Sequence, residues 1–152
     1  MKYSSLLSAT LCVAACSQAP ESRETAIMNE IERAVVLPRD AKPLEKYGRN
    51  YAPAGGGKIL ATYLIPFPPL EKSTGCAVME NWASRPCTKK EIEETLASDA
   101  QTVEAQTPAG KRRWFRDSRS LPFIDDGGCM QVSVEYDATT HRILTVACNG
   151  EA

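Results

Sequence analysis

Histidine is almost absent from this sequence: of 152 residues, His141 is the only one. A general base needs an orienting partner and a nucleophile within reach, and no such neighbours accompany it, so it reads as a solvated turn residue. No apolar run approaches the about 20 residues that a membrane-spanning helix requires. Charge of one sign is not in excess either, with 18 Lys and Arg against 19 Asp and Glu, which removes the electrostatic footprint of a nucleic-acid binder. Beyond residue 16 no two cysteines lie within the two-to-four-residue spacing of structural zinc sites, so metal is not expected. Gly55-Gly56-Gly57-Lys58 lacks the first glycine of a phosphate loop and continues into Ile59 where Ser or Thr is needed. It reads as a hairpin turn. Asp125-Asp126 has no patterned run of further oxygen ligands for calcium, and no serine sits in a nucleophile-elbow pattern. No cofactor is implied by any of these residues.

What is there begins at the amino terminus. Lys2 precedes a short apolar stretch (Leu6, Leu7, Ala9, Leu11, Val13) that ends in small residues, the layout of a cleaved secretory signal over 1–15. Val13-Ala14-Ala15-Cys16 resembles a bacterial lipobox, in which the cysteine is acylated and becomes the first residue of the mature chain. The resemblance implies anchoring at Cys16, since several acyl chains hold a domain where one does not. Ser17, rather than Asp, after the cysteine is similar to the pattern sorted to the outer membrane, facing the periplasm. Residues 16–22 are small and polar, a flexible tether to the membrane. The competing outcome is cleavage after Ser17 at Ala15-Cys16-Ser17, which leaves a soluble periplasmic protein.

With 43% hydrophobic and 24% charged residues, residues 23–152 have the composition and length of one globular domain. Four cysteines remain there: Cys76, Cys87, Cys129 and Cys148. An oxidising compartment makes two disulfides the default, and sequential pairing asks least of the chain. A hairpin in which Tyr136 faces His141 also sets Cys129 opposite Cys148. By the chain-entropy account each bridge contributes on the order of 3 kcal/mol.

Ile27, Met28, Ile31 and Val35 recur at helical spacing, with Ser22 to cap them and Pro38 to stop them. Segments 47–51 and 58–65 have strand composition, and the second should be covered on both sides, with Ile59, Ala61, Tyr63 and Ile65 on one face and Leu60 and Leu64 on the other. From Pro66-Phe67-Pro68-Pro69 to Thr88 the chain reads as a long irregular loop tied by Cys76–Cys87. Thr88-Lys89-Lys90-Glu91 is a capping box opening a helix to about residue 105 on Ile92, Leu96, Ala100 and Val103. Residues 111–118 read as a further strand. Met130, Val132, Val134 and Tyr136 alternate with polar residues, and 142–148 is the expected partner, with Ile143, Thr145 and Ala147 inward. The expectation is an α+β fold: an antiparallel sheet of four to five strands, two helices packed on one face, and two disulfides.

The stretch with most capacity for recognition is Lys111 to Arg116, followed by Arg119. In an alternating strand Arg112, Trp114 and Arg116 share one face and Arg113 the other, giving a tryptophan flanked by guanidiniums that suits a glycan or a protein partner. The bland reading puts Trp114 in the core and leaves the arginines as edge-strand charges. Trp82, beside Asn81 and Arg85 in the braced loop, is a second candidate contact. These features favour a non-enzymatic envelope lipoprotein that acts as a binding module for an envelope protein or glycan. A small periplasmic inhibitor of a wall-cleaving enzyme is the alternative, because disulfide-bearing lipoproteins that inhibit lysozyme are similar in size and address. A small hydrolase built from dispersed carboxylates or arginines ranks third.

Overall fold

The structure, a computed structural model, describes residues 21–71 and 75–150. The leader, Cys16 and most of the tether lie outside the described residues. Helix α1 spans Arg23–Ala34. The strands are β1 (Gly48–Gly55), β2 (Lys58–Leu64), β3 (Ala77–Glu80), β4 (Ala83–Pro86), β5 (Arg112–Trp114), β6 (Gly128–Asp137) and β7 (Arg142–Asn149), with α2 over Lys89–Ala105 between β4 and β5. Five strands form one sheet in the order β5-β1-β2-β6-β7, and β3 and β4 form a separate two-stranded hairpin. The expected α+β architecture, strand number and both disulfides are present.

The core lies between α1 and one face of the sheet. Ser22 caps α1 by accepting the Thr25 amide at 3.1 Å, and Met28 and Ile31 are buried on its inner side. Pairing sets Tyr51 opposite Ala61 and Ala61 opposite Val134, so alternate residues of three strands meet the helix. Tyr51 and Tyr63 pack edge to face with centroids 5.8 Å apart. Full burial of each large side chain stabilises by about 1.5–3 kcal/mol. Tyr47, also buried, accepts the Lys42 amide at 2.9 Å and donates to the Cys129 carbonyl at 2.7 Å. It thereby ties the connection after α1 to the start of β6.

Three features differ from expectation. The sheet is mixed, because β5 pairs parallel to β1; this strand is three residues long rather than the eight of 111–118, since the Asp117 side chain caps a short turn at Ser118–Ser120. Helix α1 holds its face of the sheet alone. Helix α2 buries no residue, and its last turn borders the opposite face, where Asn50, Thr62 and Ser133 align. Finally, the β6–β7 register has Tyr136 opposite Ile143 and Asp137 opposite Arg142. Asp137 accepts the Thr139 and Thr140 amides at 2.8 and 3.1 Å, and His141 takes φ 56°, so the turn consumes residues 138–141. An extra residue on β7 at Leu144 then reverses the facing. Ile143, Val146 and Cys148 pack on the core, while Thr145 and Ala147 are exposed. A second irregularity near Cys129 restores the bridge, with Cα atoms of Cys129 and Cys148 4.6 Å apart.

Candidate functional site

The segment expected to be an irregular loop contains a hairpin. Glu80 pairs with Ala83, which leaves Asn81 and Trp82 as a two-residue turn, and both have positive φ, 50° and 65°. That is the geometry of a type I′ turn, whose second position favours glycine. A tryptophan there works against the backbone and gains no packing: the residue is 98% exposed. Bulky residues in this conformation are outliers that concentrate at functional positions.

The base of the hairpin is held on three sides. Cys76 and Cys87 are disulfide-linked, and the Cys87 amide donates to the Cys76 carbonyl at 3.0 Å. Arg85 reaches Glu80 at 2.5 Å and makes a two-pronged contact with Glu91 at 2.8 and 2.9 Å. Glu91 is also the third residue of α2, where it accepts the Thr88 amide at 2.7 Å and completes the capping box. The Arg85 guanidinium, followed by the Thr88 donors, holds the Glu91 carboxyl at about 2, well below its ordinary 4.5. Disulfide, hairpin and helix start are one braced unit carrying Trp82 outward.

The arginine-rich strand is dispersed. Arg112 turns toward α1, where it donates to Asn29 and lies 3.7 Å from Glu32. Trp114 is half-buried against the core. Arg113 points to the other face, donating to the Ala105 carbonyl at 3.1 Å with its guanidinium carbon 5.0 Å from the Phe115 ring centre. Arg116 lies exposed beyond the end of β5, and Arg119 pairs with Asp117 at 2.5 Å. A single tryptophan face flanked by guanidiniums is therefore not formed, because the strand is too short to carry the alternation to Arg116.

Two features had no signal in the sequence. On the face opposite α1 a groove of about 510 Å³ is lined by Leu64, Phe67, Gln106, Arg113, Phe115 and Phe123, among others. The second is at the β6–β7 turn, where His141 Nδ1 lies 2.7 Å from Glu30 and 3.4 Å from the Tyr136 hydroxyl. The imidazole does have a carboxylate partner, 111 positions away in sequence. Gly55, the last residue of β1, and Gly56 and Gly57 of the β1–β2 turn all have positive φ. Among the described residues no three His, Cys, Asp or Glu side chains gather as a metal site, and no helix is long and apolar enough to cross a membrane. No family model matches this chain, and no curated protein or solved structure does so either.

Proposed function

We propose that the chain is a non-enzymatic lipoprotein of the bacterial envelope, anchored at Cys16 to the outer membrane and facing the periplasm, that binds an envelope protein or glycan through Trp82. The observation that carries this reading is the 98% exposed tryptophan in a left-handed turn position. A residue with neither packing nor backbone preference to favour it is explained by what it meets outside the chain. Aromatic anchors on rigid supports contribute strongly to binding because little conformational entropy is lost on contact.

The test is retention of the purified protein on isolated wall polymer and on its bound envelope proteins, comparing wild type with Trp82→Ala and Trp82→Gly. Glycine suits the turn, so Trp82→Gly is expected to fold at least as stably as wild type, since a left-handed non-glycine residue costs about 1–2 kcal/mol. Both variants should lose retention. Retention unchanged in both would remove Trp82 from the reading. Intact mass of the natively produced protein tests the anchor: acyl mass on a chain beginning at Cys16 supports it, and an unmodified chain cut after Ser17 replaces it with a soluble periplasmic protein.

A second reading, inhibition of a wall-cleaving enzyme, draws support from the same hairpin, since a disulfide-braced protrusion suits an enzyme cleft. Mixing the protein with such an enzyme should slow wall digestion, and Trp82→Ala should restore it.

A further inference from the structure

The groove opposite α1 is separate from the hairpin tip, and its chemistry points to a different kind of ligand. Its lining is mostly apolar, with Leu64, Pro66, Phe67, Phe115, Pro122 and Phe123 contributing. Phe67 and Phe123 are 39% and 66% exposed at the surface, a poor use of two aromatics if nothing covers them. About 510 Å³ falls within the range of about 300–1,000 Å³ typical of small-molecule sites. Beside it, beyond Pro122 and Phe123, lies a second cavity of about 320 Å³ lined in part by Gln131. Gln131 is fully buried, accepts the Ile124 amide at 2.9 Å, and leaves its Nε2 without an acceptor. The 121–124 segment thus rests on an incompletely filled sheet face with room on both sides.

Charge narrows the ligand further. Among the described residues Arg113 is the only charged side chain lining the groove. Arg49, Arg85, Arg112 and Arg119 each hold a carboxylate, whereas Arg113 has only the Ala105 carbonyl and the Phe115 ring. Arg113 is exposed and stands where the mostly apolar lining opens to solvent, and a guanidinium is suited to a planar monoanion, which it meets with parallel hydrogen bonds. One cation does not balance a doubly charged phosphate. We propose that this groove binds an alkyl carboxylate, with the carboxylate on Arg113 and the tail along Phe115, Phe67 and Phe123.

The test uses the full-length chain carrying Cys16→Ser, which has no attachment point at residue 16 for acyl chains of its own. Sodium decanoate, decanol, decyl phosphate and acetate are titrated separately, below self-association, by calorimetry and amide chemical-shift mapping. Decanoate is expected to saturate with shifts at Phe67, Arg113 and Phe123. Decanol should bind at least about tenfold more weakly, the cost of losing one charge-assisted contact, and acetate should not bind in the same range. Arg113→Met should lower decanoate to the level of decanol. Phe123→Asp, a change at an exposed position, should abolish binding by setting a like charge at the site, and Trp82→Ala should leave it unchanged. Equal binding of decanol and decanoate, tighter binding of decyl phosphate, or shifts confined to other surfaces would each overturn the proposal. An Arg113→Met protein that binds decanoate as wild type does would overturn it as well.

Discussion

Glu91 serves two elements at once, taking Arg85 from the hairpin and the Thr88 amide from its own helix start. Its folded pKa of about 2 lies below the ordinary 4.5, so ionisation favours the native arrangement. That contribution is complete above pH 4.5 and is lost as pH falls toward 2. The protection of amides at 77–92, measured against their intrinsic exchange at each pH, should therefore fall through this acid window before that of the β6 amides changes, and Glu91→Gln should remove the dependence by leaving the brace weak at every pH. Protection that falls together across both regions would instead assign the transition to the whole fold. Thr88 and Glu91 were legible as a capping box because that motif is local. The Arg85 partner was not, since nothing in a loop-like stretch fixes which residue a guanidinium meets. The same holds for His141, which appears solitary in sequence until the fold brings Glu30 to it. Trp114 shows the converse: an exposed reading and a core reading fit the same strand pattern, and only the position of α1 decides for the core.

At the level of elements, long amphipathic or alternating segments declared themselves: α1, β2, α2 and β6 lie within a few residues of their expected limits. The β3–β4 hairpin did not, because its four-residue strands are too short for a period and its turn has no glycine. The parallel pairing of β5 was equally hidden, since three residues carry no directional signal. Gly48 shows how close the connection after α2 approaches β1: a Cβ there would stand 1.8 Å from the Thr107 carbonyl oxygen. Thr107 in turn donates from its hydroxyl to the buried Asn50 side chain at 2.6 Å. Backbone meets backbone here, so neither side relaxes by a rotamer change. Gly48→Ala is expected to cost about 1–3 kcal/mol, read as a lower urea midpoint with unchanged slope. A midpoint equal to wild type would mean that the segment following α2 is free to move away from the sheet.

For the whole molecule the consequence is an uneven distribution of stability. Apolar burial is concentrated between α1 and the sheet, where Ile31, Tyr51, Tyr63, Val132 and Tyr136 are fully enclosed. Helix α2, by contrast, buries nothing and is held by polar contacts such as Asp99 with the Leu70 amide at 2.8 Å and Gln106 with the Phe67 amide at 2.7 Å. Ile92 and Leu96 are only partly buried and line a shallow cavity together with Leu70, Cys76 and Ala77. Segments with few enclosed apolar contacts open at lower free energy than the global transition, so α2 and its hairpin should form a separately opening unit. Ile31→Ala removes a fully buried side chain and is expected to cost about 2–5 kcal/mol of global stability, accelerating exchange in β2 and β6. Ile92→Ala should leave those strands at wild-type protection while speeding exchange within 89–105. If Ile92→Ala lowered protection in β6 as Ile31→Ala does, the two layers would share one cooperative transition.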